Sequence, residues 1–168
     1  MEDHRQTGVT LFELLATLAL IGILAGLAVP AFRDLLVNAR LRSAATSLSN
    51  DIRQARRDAI HDHRPRFISF QPGQNGHWRY CISARAEADC RQAANPASRF
   101  VENDRFSGID LNQVGFGRST IRFSAVRGTA NPGRLTLSAG PGKQISVILS
   151  PLGRVRLCSN SDARYPAC

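Results

Sequence analysis

Gly8-Val9-Thr10-Leu11-Phe12-Glu13 opens an apolar run that continues to Val29, and this stretch organises the whole chain. From Val9 to Val29 the only ionisable side chain is Glu13. A helix of that length reaches about 30 Å, the thickness of a bilayer's hydrocarbon core. A carboxylate inside it costs roughly 2.5–3.5 kcal/mol on insertion scales, so its presence needs a reason. One reading is a signal anchor with Glu13 near its end, snorkelling to the interface. A cleaved secretory signal fits poorly. The run is longer than a typical h-region, and no small-residue cleavage pattern follows it.

The same residues, Gly8, an apolar residue and then Thr10-Leu11-Phe12-Glu13, resemble the class III signal of type IV prepilins and pseudopilins. The resemblance implies a prepilin peptidase that cuts between Gly8 and Val9 and methylates the new amine. Residues 1–8 are then a leader, and residues 9–29 the half of a helix that crosses the inner membrane or lies in a filament core. It further implies that Glu13 serves assembly by pairing with the N-terminal ammonium of a neighbouring pilin subunit. Pairing two lone charges in lipid removes most of their cost. The implied location is the inner membrane, single-pass, with a periplasmic C-terminal domain that is later built into a filament. Two features depart from the pattern. Val9 stands where Phe is usual, and the leader carries Glu2 and Asp3 against Arg5 where such leaders are basic.

The remaining length suits one small globular domain. Lys+Arg is 22 against Asp+Glu 13, a formal charge of +9, and Lys143 is the only lysine. Arginine suits planar, bidentate recognition of phosphate or carboxylate, although a GC-rich genome also enriches it. Distribution is more telling. From Arg118 onward there are eight basic residues and one acid, Asp162, whereas Arg66 to Gly117 holds six basic and five acidic.

Cys81, Cys90, Cys158 and Cys168 form no C-x-x-C pair, which argues against zinc ribbons and thioredoxin-type motifs. Behind an exported anchor, two disulfides are the better reading. Three connectivities exist; the sequence-local pairs Cys81–Cys90 and Cys158–Cys168 are favoured. Each closes a loop of about ten residues, worth roughly 2–3 kcal/mol in the chain-entropy model.

Beyond Pro30 the helical pattern persists through Phe32, Leu35, Leu36, Ala39, Ala44, Leu48, Ile52, Ala55 and Ala59. One helix from about Thr10 to His61 is expected, with residues 30–62 amphipathic and a kink at Pro30. Arg53, Arg56 and Arg57 near its end complement the helix dipole or form a phosphate-binding patch. His61 and His63 lack a third metal ligand and read as a solvated loop. Residues 66–168 then read as a β-rich head. Strands are expected at Arg66–Phe70, Trp78–Ile82, Arg99–Val101, Gly108–Val114, Ser119–Ser124, Gly133–Ser138, Gln144–Leu149 and Arg154–Cys158, and a polar loop at 84–98. Trp78 and Tyr80 are base-stacking candidates, with core packing the commoner fate.

This layout, a long helix and then an antiparallel β-sheet head, resembles the FimT/GspH family of minor pilins and pseudopilins. The fold class it implies is α+β and type IV pilin-like. Gly153-Arg154-Val155-Arg156 looks like the Gly-Arg-x-Arg ending of FimT-type minor pilins, which in the family is linked to DNA binding in natural transformation. From the residues themselves, Arg154 and Arg156 project from one face of a strand about 7 Å apart, comparable to adjacent phosphates along a strand. Lys143, Arg134 and Arg164 are candidate outer contacts. The competing reading is an edge strand whose charges discourage aggregation.

Three functions follow. The first is a minor pilin that binds double-stranded DNA through its phosphates for DNA uptake. The second is a type II secretion pseudopilin with a tip or assembly role and no DNA binding. The third, an enzyme, has no supporting nucleophile–base pair, paired acids or phosphate-cradling loop. No cofactor is implied.

Overall fold

The computed structural model describes residues 10–85, 99–102 and 106–168; Gly8, Val9 and Cys90 lie outside them, as do the leader and most of the 84–98 loop. The chain divides into two compact units, Met1–Leu36 and Val37–Cys168. Helix α1, Leu11–His61, begins in the first and ends in the second, and it continues through Pro30.

In the first unit Thr10 caps α1. The Glu13 backbone N–H donates to Thr10 Oγ1 at 3.2 Å, the hydroxyl half of a Thr-x-x-Glu capping box. Glu13 is thus also a first-turn acid, where the helix dipole favours negative charge. This local role went unread in the sequence. Phe12, Leu18, Ile21, Ile23, Leu24 and Leu27 are all exposed. The segment is long and apolar enough to cross a membrane.

In the second unit α1 buries Leu41, Ala44, Ala45, Leu48, Ile52, Ala55 and Ala59. Four of these are alanines, so the buried face of the helix is narrow. Phe32, Leu35, Leu36 and Ala39, expected on the same face, are exposed. Periodicity finds an apolar stripe but does not say where the head begins to cover it.

The antiparallel β head consists of two sheets. Strands β1 (Arg66–Gln71), β2 (Arg79–Ser83), β3 (Arg99–Glu102) and β5 (Thr120–Phe123) form one antiparallel sheet in the order β3-β2-β1-β5. Strands β4 (Asp110–Val114), β6 (Gly133–Ser138), β7 (Gln144–Leu149) and β8 (Val155–Cys158) form the other, in the order β4-β6-β7-β8. The split follows from β5. It leaves its sequence neighbours β4 and β6 and pairs Ile121 with Ile68 on β1. Alternation marks a strand but not its partner.

Both sheets and α1 share one core. Trp78 and Tyr80 are buried in it, not displayed for bases. Trp78 Nε1 donates to the Ile109 carbonyl at 3.1 Å, and Tyr80 Oη donates to Asp51 at 2.5 Å.

The C-terminal tail is clasped at three points. A disulfide joins Cys158 to Cys168 with the Cα atoms 5.0 Å apart. Ser161 Oγ accepts the Gln144 N–H at 2.9 Å, and Ser159 Oγ donates to the Gln144 carbonyl at 2.5 Å. Arg42 Nε donates to Asp162 Oδ2 at 2.5 Å. Cys81 is disulfide-bonded as well, but Cys90, its expected partner, lies outside the described residues.

The Arg42 hydrogen bond holds the Asp162 carboxyl below its ordinary value of 3.8. A carboxylate depressed in this way stabilises the fold above its unfolded pKa, and that contribution is lost as pH falls through the folded one. The clasp should therefore hold at neutral pH and loosen only in acid below about 3.8. Asp162→Asn should loosen it at pH 7. Amide exchange at Tyr165 and Cys168 is expected to quicken in that variant while β6 and β7 keep their protection. Unchanged exchange at both positions would show that the ion pair does not hold the tail.

Candidate nucleic-acid interface

The β7–β8 turn is built by Ser150-Pro151-Leu152-Gly153-Arg154. Gly153 N–H donates to the Ser150 carbonyl at 2.9 Å, and Ser150 N–H to the Arg154 carbonyl at 3.0 Å. Ser150 Oγ accepts the Arg154 N–H at 3.1 Å. These bonds fix the backbone that carries Arg154. Beyond the turn the pattern alternates, with Arg154 and Arg156 exposed and Val155 buried. Strand β8 is an edge of its sheet, so Arg156 meets solvent on its face and along the open edge.

Register places a third arginine beside these two. Arg134 pairs with Ile148, and Ile148 with Arg156. Directly paired residues share a sheet face, so Arg134 and Arg156 flank Ile148 on the outer face, about 10 Å apart across two strand spacings. Lys143 and Arg164 are not part of this row. Lys143 lies five residues from Ile148 along the chain, about 16 Å in strand geometry. Arg164 follows Asp162, which is held by Arg42. The two outer contacts expected with Arg154 therefore sit at the tail end of the head.

Three arginines of α1 come to the turn instead. Arg53, Arg56, Arg57 and Arg154 line one open cavity of about 660 Å³ together with Leu152, Gly153 and Val155. Arg53 Nη2 donates to the Val155 carbonyl at 3.4 Å. Arg56 Nε donates to the Gly128 carbonyl at 3.0 Å.

Gly153 explains the approach. Its φ is +74°, and a Cβ built there would stand 2.3 Å from the Gly128 carbonyl oxygen and 2.6 Å from Arg56 Nε. A side chain at 153 would expel the Arg56 guanidinium and strain the backbone. The glycine of Gly-Arg-x-Arg is thus the residue that lets the helix and the turn meet. The sequence holds both basic groups but no sign that they converge, because 72 residues separate Arg56 from its Gly128 acceptor.

No carboxylate neutralises this surface among the described residues. The ion pairs among the described residues include Arg42–Asp162, His61–Asp62, Arg66–Asp62 and Arg99–Asp51. Asp51 is engaged by Tyr80 and Arg99, and Asp58 by Gln54. His61 and His63 are exposed, and among the described residues no three metal-ligating side chains gather. Such an arrangement suits a polyanion.

Comparison with known proteins agrees with the fold. Residues 3–29 match the prokaryotic N-terminal methylation motif. In the crystal structure of the type IV minor pilin FimU from Pseudomonas aeruginosa strain PAO1, 95% of the chain aligns with 73% of this one at 20% identity and a TM-score of 0.54. A second crystal form gives a TM-score of 0.55 over 90% of that chain. The solution structure of Escherichia coli GspH aligns over 93% of its chain and 76% of this one, at 16% identity and a TM-score of 0.47. No curated protein matches the chain. Residues 44–153 match the family described as type II transport protein GspH, and the chain belongs to that family of minor pilins and pseudopilins.

Proposed function

We propose that this chain is a minor pilin of a type IV pilus that binds double-stranded DNA through its phosphates and supports DNA uptake. The family places it among subunits that assemble with other pilins. In this reading the prepilin peptidase cuts after Gly8, Glu13 pairs with a neighbour's terminal ammonium, and the head faces the periplasm before assembly. The observation that carries the DNA reading is Arg154, Arg156 and Arg134 exposed on the outer face of the second sheet, from its edge strand β8 inward to β6, with no carboxylate partner among the described residues. Arg154 and Arg156 lie just beyond the span matched by the family, which ends at residue 153. Their support is therefore geometry and charge. Phosphate contacts position a protein without reading sequence.

The test is the double variant Arg154→Gln, Arg156→Gln in the full chain, purified in detergent. Both side chains are exposed, so stability should change by less than about 0.5 kcal/mol. Duplex affinity should fall, and the slope of log K against log salt should become shallower by up to about 1.8, roughly 0.9 for each phosphate no longer neutralised. Scrambling the DNA should matter little. In cells, transformation should drop while pilus assembly persists. Unchanged affinity and slope would reject these two residues as DNA ligands. If the wild-type chain binds no duplex at all, a secretion pseudopilin with an assembly role takes its place.

A further inference from the structure

We propose that the cleft between the last turns of α1 and the β7–β8 turn holds a backbone phosphate of the bound nucleic acid, with Arg53, Arg57 and Arg154 touching it and Arg56 as a positioning residue. This rests on the DNA reading above and adds a second wall to the surface it uses.

Arg53 and Arg57 are exposed and stand four residues apart on α1, hence on one face and about 6 Å apart along the axis. Like charges at that spacing are unfavourable in a helix. Here Arg56 and Arg154 line the same cavity, two further like charges. Of the carboxylates on the same helical stretch, Asp51 is taken up by Tyr80 and Arg99, and Asp58 reaches Arg57 only through the neutral Gln54 amide, so neither pairs directly with an arginine of the cleft. An anion in the cleft relieves the repulsion.

A guanidinium has five N–H donors. Arg53 gives one to the Val155 carbonyl, Arg56 gives its Nε–H to Gly128, and Arg57 gives one to Gln54. The remaining donors of Arg53 and Arg57, with those of Arg154, are available to a phosphate in fork geometry. Arg56 is half-buried and threaded between Gly128 and Gly153, so it fixes the distance between the walls.

The cavity, about 660 Å³, falls within the 300–1,000 Å³ of typical ligand sites and exceeds the needs of one inorganic phosphate. It admits a phosphodiester with the sugars on either side. Arg156 continues outward from Arg154 at the about 7 Å step of a strand. Cleft and strand therefore form one track with the repeat of a polyphosphate backbone. An extended acidic peptide presents same-face side chains at nearly the same step, so competition with polyglutamate separates the two.

The experiment compares three forms of the full chain in detergent, titrated with a fluorescent 30-base-pair duplex at 50 and 200 mM salt: wild type, Arg53→Gln with Arg57→Gln, and Lys143→Gln with Arg164→Gln. Both double variants lose two charges, but only the first loses them from the cleft. The cleft variant's salt slope should be shallower by up to about 0.9, the share of the one phosphate it holds, so its Kd rises about 3.5-fold less than the wild type's over the fourfold salt range. The tail variant should stay close to wild type. A competing polyglutamate should displace far less DNA than an unlabelled duplex of equal charge. An unchanged slope in the cleft variant, with DNA binding still weakened and its salt slope made shallower by Arg154→Gln, Arg156→Gln, would overturn the cleft and spare the DNA reading. Equal losses in the cleft and tail variants would reduce the effect to net charge and overturn the cleft. Equal displacement by polyglutamate would replace the nucleic acid with an acidic protein partner. Absence of wild-type binding would end both proposals.

Discussion

Gly8→Ala should leave the chain as an uncut precursor held in the membrane. The wild-type protein recovered from filaments should lack residues 1–8 and begin with an N-methylated Val9, which intact-mass measurement reads directly. The expectation rests on the methylation motif matched over residues 3–29. It also rests on the run behind it, in which Glu13 is the only charge as far as Val29. Cleavage after Gly8 places a new ammonium four residues before Glu13, at the start of the capped helix. The effect is all or none, because an uncut leader keeps that ammonium from forming. Recovery of Met1 on protein taken from assembled filaments would remove the peptidase from the account.

Trp78→Ala should cost the head about 3–5 kcal/mol, the usual range for truncating a buried aromatic. Trp78 is 1% exposed. Its ring lies 6.3 Å from both Tyr80 and Phe106, at interplanar angles of 17° and 9°. Its indole N–H satisfies the Ile109 carbonyl, which ties β2 to the segment entering β4. Domains are stable by only about 5–15 kcal/mol, so the alanine variant should be marginal. Trp78→Phe keeps most of the apolar volume and forfeits the hydrogen bond, for a smaller cost of about 1–3 kcal/mol. Urea unfolding followed by circular dichroism orders the three proteins. A midpoint for the alanine variant equal to wild type would contradict the buried placement.

Local pattern sufficed for the elements. Alternation located β6 and β7 to the residue, and the apolar steps from Ala44 to Ala59 identified the buried helix face. Pairing was not legible, because β5 joins β1 across some fifty residues and alternation carries no address. The site was half legible. Gly153, Arg154 and Arg156 stand out as a short basic motif, and the helix arginines as a separate one. Their meeting depends on two glycines with positive φ, Gly128 and Gly153, leaving room for one guanidinium. Lys143 and Arg164 share only their charge with this group, and the strand register separates them from it. Thr10 capping is present in the sequence as Thr-x-x-Glu, but the cost of Glu13 in lipid is the stronger signal and masks its place in the first turn.

The clasped tail decides where this molecule can be held without disturbing its arginines. Asp162 meets α1 at Arg42, eleven to fifteen residues before Arg53 and Arg57, or about 16–22 Å along the axis. A surface or bead attached beyond Cys168 would therefore tether the head at the end away from the cleft. The covalent bridge passes tension straight from Cys168 to Cys158, so a pull enters the edge strand β8 at its last residue and bypasses the loop between. Force applied through such a handle would load β8 against β7 before it reached Arg154. Rupture of the proposed DNA contact and peeling of that strand should then appear as two distinct events in a single-molecule trace.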